Sequence, residues 1–207
     1  MSAPSLNEAT MAAAVKQLCV SDPVLARVIQ DRGPPPFWTR SRGWQTLVRI
    51  ILEQQVSLAS GRSAFRRLRA GVSPFSVTTL AATSLEQLRG CGLTRQKAGY
   101  VQGLARHVAD GDLNLSVVAR QQDDEARAAL CSIRGIGQWT ADCYLLFALR
   151  RPDVWPPGDL ALLRGIEDLY RTRSERRIAR LLRTWQPWRA VAARILWHDY
   201  LERRRRM

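Results

Sequence analysis

Leu130–Tyr144 reads LCSIRGIGQWTADCY. Two glycines, Gly135 and Gly137, bracket Ile136, and Gln138, Trp139, Thr140 and Ala141 follow without a break. Paired glycines let a tight turn expose consecutive backbone N–H groups. A helix beginning at about Gln138 adds its own unpaired N–H groups and the positive end of its dipole. Together these form a ready phosphate site, with Ile136 packing the turn onto the helix pair. Taken alone, the same pattern also reads as an ordinary helix-to-helix turn.

The rest of the chain supplies the context. Its 207 residues, 46% of them apolar, suffice for one large domain or two small lobes with a real core. There are 32 basic residues against 18 acidic ones, a net charge of +14, and lysine occurs only at Lys16 and Lys97. Phosphate neutralisation with counterion release makes nucleic acid the expected partner. An anionic membrane is the rival, but no apolar run reaches the roughly 18 residues that a span needs. The N-terminal stretch MSAPSLNEATMAAAVKQL carries Glu8 and lacks a basic segment before an apolar one, unlike a signal peptide. The expected location is the cytoplasm, or the nucleus in a eukaryote. Cys19, Cys91, Cys131 and Cys143 form no CxxC pair and no cluster with His107 or His198. Neither zinc nor an iron–sulfur cluster is expected, and the thiols read as scattered buried ones.

Helical periodicity dominates, and few segments alternate as strands do. The pattern predicts helices over about Leu6–Leu18 and Pro23–Gln30, the second capped by Asp22. RGPPPF (Arg32–Phe37) breaks the chain. An amphipathic helix is predicted over Gly43–Ser57, with Leu47, Ile50, Ile51 and Leu52 as its apolar stripe, and another over Gly61–Arg69. GVSPFSVTTLAATS reads as a loop, followed by a capping box at about Thr83–Glu86. Leu88–Gly111 reads as helix, glycine turn and second helix, with Tyr100, Leu104 and Val108 on one face. A short helix over Asp123–Cys131, the glycine turn, and a strongly apolar helix over Gln138–Leu149 follow. RRPDVWPPGD is a proline-broken loop, and helices resume from about Leu160. The fold is therefore all-α. The glycine turns at Gly90–Gly92 and Gly135–Gly137 echo one another. The closing Arg203–Arg206 reads as a solvated tail.

Five pieces in order, ILEQQVSLAS, LRGCGLTRQKAGYV, IRGIGQWTADCYLLFAL, DVWPPGDLALLRGI and TWQPWRAVAARILW, resemble the HhH-GPD DNA glycosylases. They are most similar to the alkylation-repair branch, the 3-methyladenine DNA glycosylase II type. The resemblance runs from about Gln45 to Trp197. It implies a helix–hairpin–helix glycosylase fold of two helical lobes with a cleft for DNA and the flipped base. Residues 1–40 and 160–207 would form one lobe, and 41–159 the hairpin-bearing lobe. It implies a monomer acting on damaged double-stranded DNA.

The resemblance also assigns roles. Such enzymes flip a nucleotide out of the duplex and break its N-glycosidic bond while a carboxylate stabilises the cationic sugar. That carboxylate falls on Asp159, in PPGDLALL. Read by itself, Asp159 is equally a helix N-cap, and Asp142 and Asp153 are rival carboxylates. Family members that also cut the backbone carry a lysine at the position of Trp139, where its amine attacks the sugar. Tryptophan there implies a monofunctional enzyme; Lys97 lies in the other hairpin unit. Trp139 and Trp197 match aromatic positions of the base pocket. Cys143 and Leu160 stand where well-known bacterial members have tyrosines. Tyr144 points away on the helix, and Trp185 and Trp188 read as packing residues. Gln55 matches the wedge that fills the hole left by the flipped base, and Ser57 a minor-groove contact; without the resemblance, Glu53–Ser57 is a polar helix end. The hairpin amides of Gly135, Gly137 and Thr140 would bind phosphate. The carbonyls of Cys131, Ile133 and Ile136 would hold a monovalent cation, Na⁺ or K⁺, and no organic cofactor is implied. From Arg150 onward 15 arginines face seven acids, an electrostatic footprint without base readout.

Two other readings stay open at this level. One is a non-catalytic helix–hairpin–helix DNA-binding module. The other is a glycosylase for another lesion, such as uracil, hypoxanthine or oxidised guanine.

Overall fold

The computed structural model describes residues 5–205. Thirteen helices and no strand occur among them. In chain order these are α1 (Glu8–Ser21), α2 (Pro23–Arg32), α3 (Trp44–Glu53), α4 (Leu58–Gly71), α5 (Val77–Ala82), α6 (Leu85–Gly90) and α7 (Arg95–Ala109). They continue with α8 (Leu115–Val118), α9 (Asp123–Cys131), α10 (Gln138–Phe147), α11 (Leu160–Tyr170), α12 (Glu175–Thr184) and α13 (Arg189–Arg205). No helix among the described residues is long and apolar enough to cross a membrane. The first four residues of the N-terminal stretch and Arg206 of the closing arginines lie outside the described residues.

The chain divides into two compact units, Arg40–Leu149 and residues 5–39 with 150–205. The second boundary falls about ten residues earlier than expected. The proline loop joins the second unit because that unit takes up its polar groups. Leu6 N donates to Arg150 O at 2.7 Å and Ala190 N to Pro152 O at 3.0 Å. Arg189 grips Asp153 with Nε and Nη2, each at 2.9 Å.

The first unit is built around α3. Leu47, Val48, Ile50, Ile51 and Leu52 are all buried, and the helix packs on α4, α7 and α10. Each such side chain contributes about 1.5–3 kcal/mol on burial. The facing helices answer with Ala98, Val101, Leu104 and Ala105 on α7 and the buried run Ala141–Leu146 on α10. Glu53 closes α3 facing inward, 7% exposed, with its carboxylate 2.7 Å from Arg40 Nη2 and 3.7 Å from Arg49 Nε. Gly61 of α4 passes so close that an added Cβ would sit 2.5 Å from Glu53 Cγ. Tyr144 is buried and its hydroxyl accepts a hydrogen bond from Gly43 N, and burial raises its pKa.

In the second unit α13 is central: the whole run Ala190–Leu196 is buried, and the helix packs on α1, α2 and α11. Asp22 organises the helix ends. Its Oδ1 caps α2 through Val24 N and Leu25 N, while Oδ2 accepts from Tyr170 Oη at 2.7 Å and Trp185 Nε1 at 2.8 Å. Burial and this neighbouring carboxylate push the Tyr170 phenol well above its ordinary pKa. Trp185 is fully buried and Trp188 donates to Gln17 Oε1, so both are packing residues.

Several sequence expectations need correction. Helix α3 stops at Glu53, four residues short of Ser57, and Ser57 instead caps α4 by accepting from Ser60 N at 3.1 Å. The segment read as a loop contains α5, capped by Ser76 and anchored by buried Leu80. The capping box lies one residue on, between Ser84 and Gln87. Cys143 is buried and Cys19 and Cys91 half-buried, but Cys131 is exposed at the hairpin.

Candidate active site

The hairpin lies between α9 and α10. Gly135 takes φ +95°, and a Cβ there would fall 2.3 Å from Tyr100 Cγ. Backbone and ring thus approach so closely that only glycine fits. Gly137 is the N-cap of α10, with φ −90° and no side-chain hydrogen bond to the first turn. Most other helices here are capped by a side chain, such as Asn7, Ser57, Ser84 or Thr94. Gly137 thus gives the first turn of α10 no side-chain cap, and the helix dipole adds positive potential there. Gly137 and Gln138 are exposed, Ile136 is buried beneath the turn, and Thr140 is 1% exposed. The surface of this turn borders a cavity of about 500 Å³ whose lining includes Gln54, Gln55, Lys97, Tyr100, Cys131 and Arg134.

The loop after α3 belongs to the same unit. Gln55 is exposed and stands at φ +55°, in the left-handed region. Its neighbour Gln54 is a residue that the sequence did not single out. Gln54 Nε2 donates to Gly135 O at 2.9 Å and to Thr140 Oγ1 at 2.8 Å. Lys97 Nζ donates to Leu52 O at 2.8 Å and Gln54 O at 2.9 Å. The Lys97 amine is thus committed to backbone carbonyls, and burial lowers its pKa. Trp139 is half-buried in the first turn of α10, and Cys143, one turn on, is 3% exposed.

Asp159, Leu160 and Trp197 belong to the other unit. Asp159 is half-buried and is the N-cap of α11: Oδ1 accepts from Leu162 N at 3.0 Å and from Trp197 Nε1 at 3.1 Å. The N-cap reading of Asp159 is met, and the same carboxylate oxygen is also held by the Trp197 indole. Trp197, 9% exposed, acts here as a hydrogen-bond donor as well as an aromatic face. Leu160 is 71% exposed. The rival carboxylates are locked onto guanidinium groups. Asp142 is fully buried with Arg127 Nε at 2.8 Å, and Asp153 is gripped by Arg189. In the same unit α12 buries no residue, and Arg176, Arg177, Arg180 and Arg183 stand exposed along it.

Two packed helices, α9 and α10, joined by the Gly135–Gly137 turn have the arrangement of a helix–hairpin–helix unit. Residues 48–189 match the HhH-GPD superfamily of base excision DNA repair proteins, and the chain belongs to that family. It is 24% identical over 180 residues to DNA-3-methyladenine glycosylase 1 of Schizosaccharomyces pombe, covering 84% of this chain and 79% of that one. It is 30% identical over 124 residues to a DNA-3-methyladenine glycosylase of Bacillus subtilis, covering 58% of this chain and 40% of that one. The structure of a DNA-3-methyladenine glycosidase from Bacillus halodurans matches with a TM-score of 0.75 and 29% identity, over 90% of this chain and 88% of that one. The chain spans between 40% and 79% of the lengths of the first three curated relatives it matches.

Proposed function

We propose that this chain is a monofunctional DNA glycosylase that flips alkylated purines, of the 3-methyladenine and 7-methylguanine type, out of double-stranded DNA and excises them hydrolytically. The observation that carries the reading is Asp159, oriented by two hydrogen bonds while Asp142 and Asp153 are engaged in ion pairs. The C1′–N bond breaks with its electron pair leaving on the base. The Asp159 carboxylate stabilises the cationic sugar, and water adds at C1′ to leave an abasic site and a free base. Trp139 replaces the amine that a strand-cutting relative needs, so no covalent enzyme–sugar bond forms. The substrate class rests on the names of the relatives and on chemistry. An alkylated purine carries ring charge, and an indole face attracts a cation by up to about 2 kcal/mol when desolvated. Trp139 and Trp197 supply such faces, with Cys143 and Leu160 in place of further aromatics. The enzyme acts as a monomer on cellular DNA in the cytoplasm.

The hairpin amides of Gly135, Gly137 and Thr140 bind a phosphate, and the exposed arginines of α12 add charge that positions without specifying sequence. The carbonyls of Cys131, Ile133 and Ile136 hold Na⁺ or K⁺. Cys131 ends α9, Ile133 and Ile136 lie in the segment after it, and backbone carbonyl oxygens suit such ions. That of Ile133 keeps a second lone pair beside the bond it accepts from Ile136 N. The ion would fix the turn's shape.

Incubating the protein with methylated duplex DNA and weighing the released bases tests the function. Release of methylated purines supports it; tight binding with no released base leaves the DNA-binding module as the better account, and release of uracil or hypoxanthine instead shifts the lesion.

Gln55 is the wedge and Ser57 lies beside it at the start of α4. Gln55 follows the end of α3 in the left-handed region, a conformation shared with Arg150 and Arg171 and costing about 1–3 kcal/mol for a residue with a Cβ. Gln55→Ala is expected to slow excision from duplex DNA by about 10-fold more than from single strands, where less unstacking must be offset. Single-turnover rates on both substrates measure this, and equal losses on both argue against the wedge.

A further inference from the structure

Gln55 holds a backbone conformation that a residue with a Cβ avoids unless its surroundings impose it. The imposing groups flank it. On one side, Lys97 of α7 donates to Leu52 O and Gln54 O. These carbonyls belong to the end of α3 and the residue after it, where helix carbonyls lose their intrahelical partners. On the other side, the Gln54 side chain reaches the hairpin, donating to Gly135 O and Thr140 Oγ1. Gln54 is therefore the meeting point. Its carbonyl is tied to α7, its amide to the turn and to α10, and the next residue is the proposed wedge.

Four hydrogen bonds of 2.8–2.9 Å thus span segments more than 40 residues apart in sequence. Lys97 is half-buried, and this partial desolvation strengthens its bonds to the two carbonyls. A loop fixed in this way inserts without losing backbone freedom at that moment. It also holds the wedge at a set offset from the phosphate turn, so that gripping the strand sets where the stack is entered.

We propose that Lys97 and Gln54 are positioning residues for base flipping, which fix the Gln55 backbone and couple the wedge to the phosphate-binding turn. This inference rests on the wedge reading of Gln55 given above. Neither side chain touches the reacting sugar. Both act through Gln55.

Lys97→Met keeps the aliphatic stem and removes the donors; Gln54→Leu removes the amide. Each is expected to lower single-turnover excision of a methylated base from duplex by about 10- to 100-fold, the scale of a small misplacement. Excision from single strands and affinity for undamaged duplex should change by no more than about threefold, because phosphate contacts remain. A 2-aminopurine beside the lesion should lose its flipping signal in parallel. Lys97→Arg, which still donates, should recover most of the duplex rate. The decisive measurement is a double-mutant cycle. In a Gln55→Ala background, Lys97→Met should cost little further, since no wedge is left to position. An undiminished cost in that background, or equal losses on duplex and single strands, overturns the inference while leaving a glycosylase. A wild-type protein that releases no base, methylated or otherwise, overturns the glycosylase reading itself. Melting curves of the variants separate either result from loss of the fold, and Gln54→Leu carries the test where Lys97→Met fails to fold.

Discussion

Asp159→Asn is expected to lower excision of a methylated purine by about 10²-fold or more, the loss found when one preorganised electrostatic group is removed. The structure makes this substitution unusually clean. Asparagine keeps an oxygen at the Oδ1 position, so the bonds from Leu162 N and Trp197 Nε1 can persist. What disappears is the negative charge. A purely capping role predicts a different outcome, because asparagine is about as good an N-cap as aspartate. Stability would then change by no more than the charge–dipole contribution of about 0.3–1 kcal/mol, and excision would continue. Single-turnover base release, a melting curve and lesion-duplex affinity measured together distinguish the two. Affinity should stay near wild type, since the proposed phosphate contacts lie in the hairpin. Borohydride should trap no covalent complex with the wild-type enzyme, because Trp139 offers no amine. An Asp159→Asn protein that excises at the wild-type rate removes the catalytic assignment.

The sequence revealed the helical class and the hairpin because both are local. Asp22 before Pro23 reads as a cap at once, and the structure shows Oδ1 on Val24 N and Leu25 N. Periodicity placed the apolar stripe of α3 for the same reason. Its end was misjudged because Glu53–Ser57 contains neither glycine nor proline. The helix stops there through partners distant in sequence. Lys97 takes the carbonyls of Leu52 and Gln54, and the hairpin takes the Gln54 side chain. Such bonds leave no periodic trace, so Gln54 passed as one polar residue among several. Helix α5 was missed because Ser, Thr and Pro surround it, and one buried leucine, Leu80, holds it in place. Glu53 was legible as a charge and not as an orientation. Its inward turn depends on Arg40, thirteen positions earlier, and on the missing side chain of Gly61. At the candidate site, Asp159 could be read as cap or as catalyst. The structure adds the Trp197 indole on its Oδ1, a partner 38 positions away that no local pattern announces.

The two hairpin glycines should differ in how alanine affects them: both lose duplex binding, but only Gly135 loses stability. Gly135→Ala places a Cβ 2.3 Å from Tyr100 Cγ and 2.7 Å from Tyr100 Cβ, at the root of the side chain rather than its movable tip. It also asks alanine to adopt φ +95°. Backbone strain costs about 1–3 kcal/mol and overpacking a similar amount, giving a total of about 2–6 kcal/mol. For a chain of this size that lowers Tm by roughly 5–20 °C. Moving the turn also displaces the Gly135 and Gly137 amides proposed to meet phosphate, so duplex binding should fall with stability. At Gly137 nothing lies within 4 Å of an added Cβ, and φ is −90°, which any residue adopts. Gly137→Ala should therefore melt within about 0.5 kcal/mol of wild type, as an unstrained surface change does. Its methyl group stands where a phosphate would approach the start of α10. Hydrogen bonds to a charged partner are worth about 1.5–3 kcal/mol each, so duplex affinity should drop by about 10-fold or more. The loss should be the same on damaged and undamaged duplex, because phosphate contacts position and do not specify. Melting curves and fluorescence-anisotropy titrations on both duplexes measure the pair. A Gly137→Ala protein that folds and binds like wild type would show that no phosphate meets this turn. A Gly135→Ala protein that melts like wild type would show that Tyr100 yields to the added methyl.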